Sequence, residues 1–523
     1  MSDEKWTRVA KLQDIPEGAP FSAEADDKQI VLIRIGGRVH ACGGECTHYG
    51  APLAEGLLSD HVITCPWHNA RFDLESGKMA APPALDDLAA YPVKIENGAV
   101  FVGEPKAARI SRPSGSDGRT FVILGGGAAG NAAAETLRRE GFAGKILMVS
   151  AEKTIPYDRT ALSKQFLSGN LPTDTLSLRN ETFYNELGIE FLGGRTARSV
   201  DPSARAVTFA DGSRIRFDCL LLATGGIPRK AEIPGSQLPQ FLFLRSSADG
   251  NTVREVAEKS RSALIVGTGF IGMEAAAALR KRELEVHVVG HEEIPMKRVF
   301  GERVGKWLKD LHEKNEVHFH TGQTIKEVRG RAKVQKAVLT DGTQLAVDMV
   351  LAGLGITPAV EYLAGTNLAE SGVVPVNDRL QTRAADIFAA GDIALVPDGG
   401  GGAPRRIEHW AVAERQGRHA AQAMLGSDVP YTEVPFFWTR QFDISVKYIG
   451  FAEKHDQVAF RGKPEEEEFL AGYYFEGKLK AASAIGYARE LIAVGQMIRK
   501  GKTPSFEQFQ DESVDLIELS RKM

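Results

Sequence analysis

Residues 121–137 read FVILGGGAAGNAAAETL, and at residues 263–279 the same frame returns as ALIVGTGFIGMEAAAAL. In each copy a short apolar run of strand character enters Gly-x-Gly-x-x-Gly and leaves through an alanine-rich stretch suited to a helix. The glycines are Gly125, Gly127 and Gly130 in the first copy, and Gly267, Gly269 and Gly272 in the second. In such a turn the first glycine permits the tight bend and the second lets the backbone approach a pyrophosphate. The third lets helix and strand pack closely, with the phosphate on the helix N-terminus. One motif of this kind is weak evidence, but two in strand–turn–helix context imply two dinucleotide sites. After the first copy, KILMVS (145–150) forms a second strand, and Glu152 follows it, placed to accept ribose hydroxyls.

Outward from the repeat, the chain changes texture twice. Residues 121 to about 428 alternate strands and helices, the mark of an α/β fold. Before them, IVLIRIGG, VHAC, HVITC and YPVKIENGAVFVG are short β segments broken by Gly, Pro and Asp turns. EPKAARISRPSGSDGRT has no periodicity and reads as a linker, whose roughly 13 residues would reach about 40 Å if extended. From about 430, short strands alternate with a helix near ARELIAVGQMIRKG, and the acidic run Glu465–Glu468 reads as solvated. These boundaries give a 1–104 domain, a 105–118 linker, a discontinuous first dinucleotide domain (119–246 and 373–428), a second one at 247–372, and a 429–523 α+β domain.

The bulk properties narrow the class. A chain of 523 residues exceeds a single core. A net charge of −4 gives no case for a nucleic-acid partner. No run approaches the length of a membrane span, and the polar start MSDEKWTRVAKLQD has no secretory character. Four cysteines occur, three of them (Cys42, Cys46, Cys65) within the first domain. That clustering suits a metal site in a reducing compartment, and the expected location is the cytoplasm.

Cys46-x-His48 and Cys65-x-x-His68 each supply one thiolate and one imidazole. Zinc sites usually pair like with like, whereas this set suits a two-iron cluster whose irons take two cysteines and two histidines respectively. Cys42 opens a zinc reading of the form Cys-x3-Cys; its plainer role is a buried thiol. With CTH, CPWH, NARFDLESGK and YPVKIENGAVFV in this order, the first domain resembles a Rieske [2Fe–2S] domain. The extra cysteines of respiratory Rieske proteins are absent, so the resemblance is to the soluble ferredoxin type.

The remainder resembles the flavoprotein pyridine-nucleotide oxidoreductases, closest to ferredoxin reductases of oxygenase systems and apoptosis-inducing-factor-like proteins. The marks are PYDRTALSK (156–164), LLATGG (221–226), DIFAAGD (386–392), EHWAVAERQG (408–417) and VPFFWTRQFD (434–443). The resemblance implies a multidomain fold: an all-β Rieske domain, two Rossmann-like α/β domains for FAD and NAD(P), and a C-terminal α+β domain. It implies that Asp392 takes the flavin ribityl chain, that Arg159 and Lys164 line the flavin, and that Glu408, His409 and Trp438 surround the isoalloxazine and nicotinamide. It also pairs Lys164 with Glu274, an acid just inside the second glycine helix that would contact the carboxamide. At the position where NADH-using relatives carry a ribose-binding acid, this chain has Gly290 and then His291. Glu292 or Glu293 can substitute, while His291, Lys297 and Arg298 can welcome a 2′-phosphate; NADH is favoured over NADPH.

Disulfide reductases of this fold place redox cysteines after the first βαβ unit, and residues 145–218 contain none. Electrons on a flavin here need another exit, which the Rieske cluster supplies. The expected activity is transfer of hydride from a nicotinamide cofactor to FAD, then of single electrons through the cluster to a redox protein such as an oxygenase component, ferredoxin or cytochrome. A slow-turnover redox sensor is the alternative. The expected assembly is a monomer or homodimer.

Overall fold

The structure, a computed structural model, describes residues 5–106, 110–399 and 402–523. Residues 1–4 of the polar start and 107–109 of the expected linker lie outside the described residues. The chain divides into two compact units. One holds residues 1–111, 432–438 and 447–523; the other holds 112–431 and 439–446.

In the first unit, the N-terminal segment is all antiparallel β. Pro20–Ala25, Lys28–Ile35, Arg38–Gly43 and Ala90–Tyr91 form one four-stranded sheet. Leu57–Ser59, Val62–Thr64, Arg71–Asp73 and Met79–Ala81 form a second. Thr7–Lys11 pairs with Ala99–Val102, which pairs in turn with Val93–Glu96. Period-two alternation buries Val31, Ile33, Ile63 and Phe72 around Cys42, whose thiol donates to the Leu74 carbonyl at 3.4 Å. Burial pushes that thiol up to about 12.

The C-terminal segment builds a five-stranded antiparallel sheet from Phe436–Gln441, Ile444–Gly450, Gln457–Lys463, Glu468–Phe475 and Lys478–Ile485. The helix Ala488–Arg499 follows, burying Leu491, Ile492, Val494 and Met497 at helical spacing. Glu465–Glu468 is exposed, as expected. Within this unit the N-terminal segment packs on the C-terminal one. Leu57 packs with Ile492 and Ala493, and Glu433 bridges Arg71 and Arg499.

In the second unit one plan occurs twice. Ile189–Gly193, Lys145–Ser150, Thr120–Leu124, Cys219–Leu222 and Ile387–Ala389 make a parallel sheet in that order. Phe241–Phe243, Met349–Ala352, Ser262–Val266, Glu285–Gly290 and Val317–Thr321 make another. Both sheets have a three-stranded antiparallel companion, at 197–216 and 325–346. Their central strands, FVIL (121–124), CLLL (219–222), ALIV (263–266) and MVLA (349–352), are continuously apolar and buried, as strands covered on both faces require. Ile387–Ala389 returns to the first sheet after the second is complete, which makes the first module discontinuous in sequence. Cys219 is buried within its strand and its thiol is pushed up to about 12.

Candidate functional site

The two glycine turns are built alike. Gly125 and Gly267 have φ of +125° and +107°, and a β-carbon there would lie 2.0 Å from the Ala223 carbonyl oxygen and 2.5 Å from that of Gly353. At Gly130 and Gly272 a β-carbon would lie 1.9 and 2.2 Å from the carbonyl oxygens of Gly125 and Gly267. Only glycine fits these four positions. Gly127 and Gly269 differ: nothing lies within 4 Å of a β-carbon there. They are also the N-caps of the helices Ala128–Arg139 and Phe270–Arg280, and neither makes a side-chain cap bond. The first-turn N–H groups therefore face open space at the positive end of a helix, a cradle that fits a pyrophosphate.

Around the first turn, five residues form one chain of contacts. Glu152 accepts from Arg159 and, at 2.7 Å, from the Tyr157 hydroxyl. Arg159 also donates to the Arg245 carbonyl at 2.8 Å, and the Arg245 guanidinium pairs with Asp392 at 2.8 Å. Asp392 follows Gly391, whose N–H is held by the buried Gln416 side chain. Arg406 donates to the Asp392 carbonyl at 3.1 Å and pairs with Glu408. His409 caps the helix Trp410–Met424, its ring 6.3 Å from that of Phe270; burial pushes its pKa down to about 4, leaving a neutral imidazole.

Lys164 and Glu274 form an ion pair at 2.8 Å, their side chains 11% and 5% exposed. Lys164 also donates to the Thr160 carbonyl at 2.9 Å. Glu274 accepts in addition from Ser163 and, at 2.7 Å, from Thr439 on the hairpin tip that groups with this unit. At the second turn, a β-carbon on Gly290 would lie 2.5 Å from the Thr268 methyl, so a side chain there would require Thr268 to turn aside. His291 and Glu292 are exposed there, and Glu293 accepts from Thr321 at 3.1 Å.

In the first unit, loops 46–51 and 65–70 share one frame. Cys46 N–H donates to Ala51 and Gly50 N–H to Cys46; Cys65 N–H donates to Ala70 and Asn69 N–H to Cys65. The fifth residue of each, Gly50 and Asn69, is left-handed (φ +75° and +63°). This turn aims two backbone N–H groups at each buried sulfur, from His48 and Tyr49 at Cys46 and from Trp67 and His68 at Cys65. The Cys46 thiol donates to Cys65, which lowers the Cys65 thiol to about 7 against the opposing effect of burial. The imidazoles meet separately, their Nδ1 atoms 3.1 Å apart. Among the described residues no three ligating side chains converge on one point. Two sulfurs on one side and two facing imidazole nitrogens on the other fit a two-iron cluster better than a single ion.

Trp438 lies with these loops, its ring centroid 4.3 Å from that of His68 and 6.2 Å from that of His48. Lys447 is half-buried, its pKa lowered by burial and opposed by Cys65. Tyr157, Arg245, Ser163, Thr439, Glu433 and Lys447 were not singled out from the sequence. Tyr157 and Ser163 stand in PYDRTALSK and Thr439 in VPFFWTRQFD; Arg245, Glu433 and Lys447 carry no local signal.

Residues 119–417 match the pyridine nucleotide-disulphide oxidoreductase family, residues 5–92 the Rieske [2Fe-2S] domain, and residues 436–520 the reductase C-terminal family. Apoptosis-inducing factor 3 of Homo sapiens is 35% identical over 521 residues, covering 95% of this chain and 86% of its own. The biphenyl dioxygenase system ferredoxin–NAD(+) reductase component of Paraburkholderia xenovorans (strain LB400) is 31% identical, covering 76% of this chain and 98% of its own. Among solved structures, the ferredoxin reductase for the CYP199A2 system from Rhodopseudomonas palustris superposes with a TM-score of 0.74 at 32% identity. It covers 77% of this chain and all of its own.

Proposed function

Because the chain belongs to the pyridine nucleotide-disulphide oxidoreductase family, we propose that it is a nicotinamide-dependent flavoprotein reductase. Electrons leave it through a Rieske cluster in the same chain, to an external redox protein such as a ferredoxin, cytochrome or oxygenase component. The observation that carries this reading is that one chain holds two pyrophosphate cradles together with the paired Cys46/Cys65 and His48/His68 loops. Its remaining cysteines, Cys42 and Cys219, are separate buried thiols, so a disulfide route has no pair to use. When bound, FAD accepts hydride from NADH and the [2Fe–2S] cluster carries electrons one at a time.

The chain's own residues divide the work. Gly125, Gly127 and Gly130 seat the FAD pyrophosphate, Glu152 takes ribose hydroxyls, and Asp392 takes the ribityl chain while Arg159 orders both through its contacts. Lys164 would supply positive charge beside a bound flavin, and Glu274 fixes that lysine and would accept from the carboxamide. Glu408 and His409 border the same site. Gly267, Gly269 and Gly272 seat the nicotinamide dinucleotide in a second Rossmann-like module, with His291 at the adenosine end. Cys46, Cys65, His48 and His68 hold the cluster, and Trp438 screens its imidazoles from water. The domains run 1–104, 119–246 with 373–428, 247–372 and 429–523, with 105–118 as linker. Among the described residues no helix is long and apolar enough to cross a membrane, and unpaired cysteines suit the cytoplasm.

The similarity to apoptosis-inducing factor 3 along nearly the whole chain favours a second reading, a slow redox sensor. Steady-state reduction of cytochrome c by NADH separates the two, using the wild type and Cys46→Ser. Brisk turnover that collapses in Cys46→Ser while NADH still bleaches the flavin supports the reductase. Wild-type turnover in Cys46→Ser overturns the route through the cluster. A long-lived reduced protein that changes oligomer and barely turns over supports the sensor.

A further inference from the structure

Away from the glycine turns, one face of the second parallel sheet carries three of the chain's twelve histidines. His287 lies on Glu285–Gly290, and His318 and His320 lie on the edge strand Val317–Thr321. Parallel register sets His287 beside His318, and alternation places Glu285 and His320 on that same face. His287 is engaged at both ring nitrogens. Its Nε2 is 3.3 Å from a Glu285 carboxylate oxygen, and its Nδ1 is 3.2 Å from Nε2 of His320. The His318 ring stands 5.2 Å from that of His287, tilted by 33°.

The carboxylate decides the tautomer. Glu285 accepts the Nε2–H of His287, which leaves the Nδ1 lone pair pointing at His320. Histidines that bind metals usually donate their other N–H to a carboxylate, which orients the ring and raises its basicity. Two nitrogens on a tetrahedral ion with bonds of about 2.0–2.1 Å stand about 3.3 Å apart, close to the spacing found here. We propose that His287 and His320, joined by His318 and oriented by Glu285, bind one divalent zinc-class ion. Imidazole donors suit zinc, and water completes the coordination. Among the described residues no three ligating groups already converge; the two nitrogens are held at 3.2 Å by His320 Nε2–H donating to His287 Nδ1, and the ion would replace that proton as His320 shifts to its Nδ1–H tautomer and His318, exposed on the edge strand, turns in. The ion would clamp the edge strand to Glu285–Gly290, whose last residue packs on Thr268 of the second glycine loop.

The test uses the full-length, untagged holoprotein, so that iron occupies Cys46, His48, Cys65 and His68. The protein is stripped of loosely held metal with a mild chelator and titrated with zinc at micromolar concentration. Bound zinc is counted by mass spectrometry. The wild type should hold one zinc per chain, and His287→Ala/His320→Ala should hold none. Because Glu285 is largely exposed, Glu285→Gln should keep the fold and the flavin absorbance while zinc affinity falls about 10–100-fold. A wild type that takes up no zinc, or variants that bind it as the wild type does, would overturn the proposal. No step of this measurement depends on electron transfer, so its failure leaves the reductase reading untouched.

Discussion

Neutralising Glu274 should uncouple the chemistry of the flavin site from cofactor retention. Glu274 is buried, pairs with Lys164 at 2.8 Å, and accepts from Ser163 and Thr439. At that distance an effective dielectric near 20 gives an attraction of about 6 kcal/mol, much of it offset by desolvation of two charges. Removing one partner strands the other, and a buried pair broken this way costs about 3–5 kcal/mol. Glu274→Gln keeps a carbonyl acceptor for Thr439 but sets an amide NH2 where Ser163 and Lys164 donate, and should cost about 3 kcal/mol or more. Lys164→Met should cost a similar amount, and the double variant should cost less than the sum, with a coupling of at least about 2 kcal/mol. Urea unfolding of the four FAD-loaded proteins measures that coupling. Anaerobic stopped flow on the same samples should show flavin bleaching by NADH slowed about 10²-fold in Glu274→Gln, as expected for losing one placed group. FAD content should stay at the wild-type level. A coupling below about 0.5 kcal/mol, typical of exposed pairs, or bleaching at the wild-type rate, would refute the reasoning.

Two further outcomes follow from the geometry. Gly127→Ala puts a methyl group into empty space, so the flavin-free protein should melt like the wild type while FAD binds more weakly. Gly130→Ala drives its β-carbon against the Gly125 carbonyl and should destabilise the fold by about 1–3 kcal/mol with or without flavin. Flavin titration and thermal unfolding check both, and identical behaviour of the two variants would contradict the cradle. His312 is fully buried against Gln441, and burial pushes its pKa down to about 4. The folded chain therefore favours the neutral ring: the stability is whole above the unfolded value of about 6.5 and falls as pH drops toward 4, by roughly 2 kcal/mol at pH 5. Urea midpoints at pH 7 and 5 should converge in His312→Leu relative to the wild type, and equal slopes would count against this.

The parts of this molecule legible in its sequence are those whose geometry is closed within a few consecutive residues. Gly125, Gly127 and Gly130 announce themselves because three positions in one turn have incompatible demands on a side chain. Cys46-x-His48 and Cys65-x-x-His68 do so because each six-residue loop closes on its own backbone bonds. Lys164 and Glu274 lie in different modules, and their pairing was available only through resemblance; spacing says nothing of it. Glu433 is an unremarkable glutamate until the fold sets it between Arg71 and Arg499, and Trp438 is one more apolar strand residue until it meets His68. The histidine face occupies a middle ground. Alternation in EVHVVG and VHFHT states that each strand shows histidines to one side, but which histidine meets which depends on parallel register. A shift by one residue would turn His318 and His320 to the opposite face from His287. Register in this sheet pairs the buried Val286 with Val317 and the buried Val288 with Phe319, so apolar packing decides whether the polar site exists. A functional constellation of that kind inherits its geometry from core residues that carry no chemistry of their own.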